Sequence, residues 1–258
     1  MQLQTLFEFA YMPPILLEQL AELAEDENWN YRQVPADRPY PILFNYLQHT
    51  FMRLSEENKV SEKDGAACFN TGLVTELQEA IYAYFVPNIN PGQQRWKLDA
   101  FVKESDRRLL PFGSLPGLAH YFEEPGDLIY DARLPLRPNL DHIMSDNRER
   151  FPEPFRAMET YQLRVILDGA IQHAIRRVAR NYKTAIPNYY RPTVQGRPGK
   201  GTLQLLLPLS LTHPRKADLA LAVYREGEVY LGATILTLDM AYNNARLIAR
   251  PDSEWLQA

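Results

Sequence analysis

The sequence predicts an α+β fold with mostly antiparallel sheets and a long basic helix between two lobes. Apolar residues recur every three or four positions in some segments and alternate with polar residues in others, which are the periods of helices and strands. The strand-like segments are grouped together and so are the helix-like segments, a grouping typical of α+β proteins. The chain has 258 residues, of which 45% are hydrophobic. We expect lobes at 1–150 and 151–258 that form one compact unit.

Two helices and three strands are expected before residue 106. The segments 14–25 and 41–58 repeat apolar residues at helical spacing. The segments 66–70, 80–88 and 95–105 are short, aromatic or β-branched and partly alternating, which indicates strands joined by polar turns.

The remainder begins with an irregular, proline-punctuated stretch, 106–150. An apolar stripe then predicts one long helix from about Pro152 to Arg180, since proline is tolerated in a first helical turn. Three further strands and a final helix capped by Asp239 are expected at 202–211, 217–227, 228–239 and 240–250.

Charge is unevenly distributed along the chain. Residues 1–168 hold 16 basic and 26 acidic side chains, a net of −10, and residues 169–258 hold 12 and 6, a net of +6, which gives −4 for the whole chain. No acid lies between Asp168 and Asp218, whereas nine basic residues do. This asymmetry indicates an anionic partner bound at one place.

The basic stretch NYKTAIPNYYRPTVQGRPGKG, 181–201, follows the long helix and is rich in tyrosine. Aromatic faces interleaved with basic groups suit unpaired nucleic acid, in which bases stack and phosphates form ion pairs. The candidate binding residues here are Arg177, Arg180, Tyr182, Lys183, Tyr189, Tyr190 and Arg191. Two alternatives stay open, because cations also interact well with the C-terminal end of a helix and tyrosines are common in strands.

Other polar groups are candidates for chemistry. His142 is a candidate acid or base, because a free imidazole titrates near neutral pH. Glu76 could fill the same role, and Lys103 with Glu104 could form either a phosphate ligand and base or a plain ion pair.

Asparagine and arginine residues complete the predicted site. Asn70 lies in a polar turn after a strand, and Arg148 would stabilise charge on a phosphoryl group. Asn243, Asn244 and Arg246 lie on the final helix, where asparagine is unfavourable unless it hydrogen-bonds to protein or ligand.

Several classes of protein are disfavoured. A single cysteine, Cys68, fits a reducing compartment, and the N-terminus lacks the features of a signal peptide, so we expect a cytoplasmic protein without membrane contact. No cysteine–histidine cluster indicates zinc. The sequence indicates no cofactor with certainty. A magnesium ion bound by carboxylates and substrate phosphates is an alternative that stays open.

Four segments resemble a bacterial domain family catalogued as a domain of unknown function: FNTGLVTE, DHIMSDNRERFP, ARNYKTAIPNYY and TILTLDMAYNNARLIARPDSEWL. The resemblance covers nearly the whole chain. Members often sit beside cold-shock or OST-HTH modules, which are RNA-associated. The resemblance therefore implies a function that involves RNA during stress or phage conflict, with an RNA-binding protein as a possible partner.

Together these observations lead us to expect an RNA-engaging protein that processes RNA ends or a phosphate-bearing nucleotide by phosphoryl or nucleotidyl chemistry. One alternative is a non-catalytic RNA-binding or adaptor module. Another is a nucleotide sensor with a pocket too narrow for a polymer. The sequence does not separate RNA from single-stranded DNA or free nucleotide, nor catalysis from binding.

Overall fold

The computed structural model describes residues 4–32, 37–90, 94–251 and 255–257. The chain divides into two units, Met1–His120 and Tyr121–Ala258, and each contains its own five-stranded sheet. The α+β prediction is confirmed. Within the described ranges, no helix has both the length and the hydropathy needed to cross a bilayer.

In its described residues the first unit combines three α-helices with a mixed sheet. Its helices are α1 (Leu6–Phe9), α2 (Ile15–Leu23) and α3 (Pro41–Glu56). Its strands are β1 (Ala10–Tyr11), β2 (Ser61–Lys63), β3 (Ala66–Val74), β4 (Ala80–Pro87) and β5 (Trp96–Lys103). The strand order is β1-β5-β4-β3-β2, antiparallel except for the parallel pair β1–β5.

Both faces of this first sheet are buried. On one face Phe69 and Phe85 pack with Phe51 of α3 and with Phe9. On the other face a smaller cluster includes Cys68, together with residues of a 3-10 helix at Arg107–Phe112. Because β3 is buried on both sides from Ala66 to Thr71, its apolar segment AACF does not alternate with polar residues.

Over the part of the second unit that the structure describes there are four α-helices and two sheets. Its helices are α4 (Leu140–Ser145), α5 (Glu153–Arg156), α6 (Thr160–Arg180) and α7 (Leu238–Ala245). Its strands are β6 (Leu136–Pro138), β7 (Ile186–Tyr190), β8 (Thr193–Val194), β9 (Arg197–Pro198), β10 (Thr202–Leu209), β11 (Leu219–Glu226) and β12 (Val229–Leu236). The main sheet has the order β6-β12-β11-β10-β7, with β6 parallel to β12, and β8 and β9 form a separate hairpin.

Helix α6 packs on one face of the main sheet. Its apolar stripe, which includes Leu163 and Leu167, joins Leu205 and Leu207 of β10 in one core. Leu206 lies on the opposite face by strand alternation and is also fully buried. Helix α7 packs against β7, β11 and β12, so the sheet has helices on both sides.

The structural boundary at residue 120 lies earlier than the predicted boundary at residue 150. Residues 121–150 belong to the second unit because β6 pairs with β12 and α4 packs against α6. Ile143 and Met144 of α4 enter the same core as α6. The long helix accordingly lies within the second unit.

The predicted helix from Pro152 to Arg180 is interrupted, and this prediction was wrong in detail. The chain forms α5 and then begins α6 anew at Thr160. The Arg148 guanidinium donates hydrogen bonds to the backbone carbonyls of Arg156 and Met158. These carbonyls lie at the break, so Arg148 takes the place of the helical N–H donors there.

The final helix also differs from the prediction. Thr237, and not Asp239, caps α7, because the Thr237 hydroxyl accepts a hydrogen bond from the Met240 N–H. The helix ends at Ala245, and Asp239 lies buried in its first turn.

Candidate nucleic-acid interface

The acid-free interval between Asp168 and Asp218 lies wholly in the second unit. It contains the C-terminal part of α6, a 3-10 helix at Tyr182–Thr184, strand β7, the β8–β9 hairpin and β10. The Asn181 side chain accepts a hydrogen bond from the Lys183 N–H at 3.1 Å and so fixes the turn between α6 and the 3-10 helix.

Seven cations of this interval are exposed, and we call them the basic surface: Arg176, Arg180, Lys183, Arg197, Lys200, Arg215 and Lys216. None of them forms an ion pair with any residue in the described ranges. Some cations outside the interval are paired, as Arg108 is with Asp106 at 2.8 Å. Unpaired exposed cations in one interval produce a local positive potential despite the acidic net charge.

The sheet topology places six of the seven residues of the basic surface near the two ends of β7. Since β7 and β10 are antiparallel, the end of α6 and the β10–β11 loop lie at the end where β7 begins. This end carries Arg180, Lys183, Arg215 and Lys216. The β8–β9 hairpin with Arg197, and Lys200 just after it, follow the other end of β7, about 15 Å away at the usual rise per residue.

Tyrosines of the basic stretch differ in exposure. Tyr182 is 59% exposed and Tyr190 is 43% exposed, so both present ring surface to solvent beside the basic residues. Tyr189 is only 5% exposed, because its ring packs edge-on against Tyr121. Its predicted role in base stacking is therefore not available to it in this structure.

Arg191 is buried and holds the hairpin in place. Its Nη1 donates to the Gly199 carbonyl at 2.7 Å, and the Gly199 N–H donates to the Pro192 carbonyl at 2.7 Å. The guanidinium also lies over the Tyr189 ring. Arg191 thus supports the segment that carries Arg197 and Lys200, and does not itself face solvent.

Arg177 is half-buried on α6, next to the exposed Arg176. Its Nη1 is enclosed and has no hydrogen-bond acceptor among the described residues. An unpaired buried donor is costly.

The predicted residues of α7 form part of a buried polar layer. Arg246 is buried, and Asn243 and Asn244 are half-buried. The Asn243 Oδ1 is enclosed and accepts no hydrogen bond from the described residues. Asp239 is buried on the same helix, so α7 carries several polar groups that are turned away from solvent.

Sequence reasoning missed Asn188 and Gln204, which are buried at a facing pair of positions on β7 and β10. The Asn188 Nδ2 donates to the Gln204 Oε1 at 3.0 Å, while the Asn188 Oδ1 is enclosed and lacks a described donor. One signal was present, since Gln204 interrupts the apolar run TLQLLLPL.

His142 lies on α4, which packs against β12, toward the edge of the sheet opposite β7. Its Nδ1 is 2.7 Å from Asp146 Oδ2, and both side chains are exposed. Hydrogen bonds from His142 and then from Ser145 lower the pKa of Asp146. Arg148 is engaged in the α5–α6 break described above.

The other predicted catalytic residues belong to the first unit. Glu76, Lys103 and Glu104 are exposed, and they lie where β3 ends, β4 begins and β5 ends. At this end of the sheet the Ser105 N–H donates to Glu79 Oε1 at 2.8 Å, and hydrogen bonding from Ser105 lowers the pKa of Glu79.

Asn70 supports a distortion of β3. Its Oδ1 accepts from the Gly72 N–H at 2.9 Å, and its Nδ2 donates to the Tyr82 hydroxyl. Gly72 has a positive φ of 76°, and the pairing of β3 with β4 shifts register here. The polar turn FNTG is therefore accounted for by a bulge in which glycine is required.

Cys68 has no features of a nucleophile. It is fully buried, and burial raises the pKa of its thiol to about 12. No group of three or more histidine, cysteine or acidic residues positioned to bind a metal occurs in the described part of the chain.

An open pocket of about 260 Å³ lies beside the basic surface, and we call it the Tyr182 pocket. Its lining includes Ile129, Tyr182, Lys183, Pro187, Ile248 and Arg250. The pocket therefore combines apolar walls with the cations Lys183 and Arg250.

Comparison with known proteins identifies a family. A family model described as Domain of unknown function (DUF3825) matches residues 20–255. Neither the curated proteins nor the solved structures provide a match to the chain.

Proposed function

The chain belongs to the DUF3825 family, and we propose that its second unit binds single-stranded RNA along the basic surface. The observation that carries this proposal is the set of seven exposed cations without ion pairs in an interval that has no acid. Phosphates provide the negatively charged partners that these cations lack. Binding of phosphates by the cations releases counterions from the nucleic acid.

The exposed tyrosines favour a single strand over a duplex. Tyr182 and Tyr190 offer ring faces beside the cations, and the bases of a single strand are free to stack on such faces. The two ends of β7 are separated by a distance that a strand of several nucleotides spans. The resemblance to a family with RNA-associated neighbours supports RNA over DNA.

Binding without catalysis is the form of the function that we propose. His142 hydrogen-bonds to Asp146 near the far edge of the sheet, and Glu76, Lys103 and Glu104 belong to the first unit. None of these residues lies on the basic surface, so their catalytic roles stay predictions.

The test is a titration of the full chain against a labelled single-stranded RNA of about 12 nucleotides across a salt series. The variant Arg180→Gln, Lys183→Gln removes two cations of the basic surface. The matched control Arg133→Gln, Arg137→Gln removes two exposed cations of the same unit that lie outside that surface.

For the wild type we expect log affinity to fall linearly with log salt. The slope should decrease in magnitude by about 1.4 in the test variant, at about 0.7 per phosphate contact, and stay unchanged in the control. Equal losses in both variants, or no binding at low salt, would overturn the proposal. Shortened RNA on a gel run with magnesium would support the enzyme alternative instead.

A further inference from the structure

We propose that the Tyr182 pocket holds one nucleotide of the bound strand, with its base in the apolar part and its phosphate at Lys183. This inference rests on the proposed function and specifies which part of the RNA the protein encloses.

The walls of the pocket suit a flat ring. Ile129 and Tyr182 are large apolar side chains that are 48% and 59% exposed, and both line this one pocket. Pro187 and Ile248 line it as well. A base placed here would remove apolar surface from water and contact the tyrosine ring, an arrangement that stabilises unpaired bases.

The charges of the pocket select an anionic ligand. The ionisable groups in its lining other than tyrosine are Lys183 and Arg250, of which Arg250 already has a partner, and no described carboxylate lines the pocket. Lys183 belongs to the basic surface, and its ammonium group forms no ion pair with a described residue. A phosphate attached to the enclosed base therefore lies within reach of an available cation.

The lining also predicts little discrimination between bases. Apolar and cationic side chains provide few acceptors for the amino groups that distinguish the bases, and stacking is tolerant of base identity. We therefore expect similar affinities for strands that differ only in sequence.

The experiment uses the full chain and two probes. One is a short RNA with a single 2-aminopurine, whose fluorescence changes on stacking. The other is adenosine 5′-monophosphate, monitored by thermal shift, with adenosine and decanoate for comparison. The variants are Tyr182→Ala, Tyr182→Phe and a matched control, Tyr161→Ala, at an exposed tyrosine of α6 outside the pocket.

We expect Tyr182→Ala to weaken RNA binding about tenfold and to abolish the fluorescence change, whereas Tyr182→Phe and Tyr161→Ala stay within roughly twofold of the wild type. The monophosphate should raise the melting temperature of the wild type more than adenosine does, and this shift should be lost in Tyr182→Ala.

The outcomes separate the two proposals. RNA binding that is unchanged in Tyr182→Ala overturns the proposal that the pocket holds a nucleotide. It does not contradict RNA binding along the basic surface. A Tyr182-dependent shift with the monophosphate, without RNA binding, supports the pocket and overturns RNA binding as the function. A shift with decanoate but not with the monophosphate overturns a nucleotide as the occupant.

Discussion

Gly201 lies against the aromatic ring of Tyr189, so that a methyl group added at Gly201 would overlap Cε1, Cζ and Oη of that ring. Gly201 follows the β8–β9 hairpin, and Tyr189 is the buried tyrosine of β7. The close approach packs the segment between β9 and β10, next to Lys200, against the main sheet. The position of this part of the basic surface thus depends on a glycine that itself contributes no charge.

Gly201→Ala should destabilise the protein by about 1–3 kcal/mol, because the Tyr189 ring is packed against Tyr121 and has little room to move. Chemical denaturation would measure the change. The control is Gly169→Ala in α6, where an added methyl group meets no neighbour within 4 Å. That variant should gain about 1 kcal/mol from helix propensity. A neutral Gly201→Ala would contradict the packing described here.

Arg148→Met should destabilise the protein by about 1–3 kcal/mol, since it leaves two backbone carbonyls at the α5–α6 break without their donor. Thermal unfolding would measure the loss. The salt slope of RNA binding should not change in the folded variant, because Arg148 is engaged within its own unit. A smaller slope with unaltered stability would instead assign Arg148 to the ligand, as the sequence predicted.

The helices and strands of the fold were largely predictable from the sequence. Which side chains of the basic stretch are exposed to solvent was not. The spacing of apolar residues and the short apolar runs locate the strands, because each pattern reflects which face of a local segment is buried. Tyr189 and Tyr190 are adjacent and chemically identical, yet one is buried and the other exposed. Alternation predicts that they differ but not which one faces the core.

Hydrogen bonds between residues eight positions apart account for two of the remaining differences. Arg191 is indistinguishable by sequence from its solvated neighbours, and its burial depends on the Gly199 carbonyl beyond the hairpin. The break before α6 depends in the same way on Arg148, which precedes α5 along the chain. No local pattern encodes such partners, so the residues that support the surface could not be separated from those that form it.

The acid stability of the first unit should depend on Asp106. Hydrogen bonds from the Arg108 side chain and then from its backbone N–H lower the pKa of Asp106 to about 2. A lowered folded-state pKa stabilises the fold above the unfolded-state pKa of about 4, and this contribution is lost as the pH falls toward 2.

Asp106→Asn should therefore be less stable than the wild type at neutral pH by about 0.5–1 kcal/mol, a value reduced by solvent screening. The difference should shrink as the pH falls from about 4 toward 2. Denaturation at several pH values would measure it, with Asp99→Asn as a control at a longer, more exposed contact to Arg108. A difference that does not vary with pH would contradict the linkage.

The buried pair Asn188–Gln204 should show strong coupling in a double-mutant cycle. Gln204→Leu removes the only described acceptor of the Asn188 Nδ2 and leaves both amide atoms of a fully buried side chain unpaired. We expect a loss of about 1–3 kcal/mol in this single variant. In the double variant Asn188→Leu, Gln204→Leu no amide remains to be satisfied, so its stability should recover to near that of the wild type.

RNA affinity measured on the same variants separates stability from binding. If the pair serves only to fix the register of β7 on β10, the folded double variant should bind RNA as the wild type does, because the basic surface is intact. If the enclosed Asn188 Oδ1 instead accepts a hydrogen bond from the bound RNA, the double variant should be stable and yet bind RNA several-fold more weakly. Additive losses of stability would contradict the coupling, since two contacting amides that share one hydrogen bond cannot act independently.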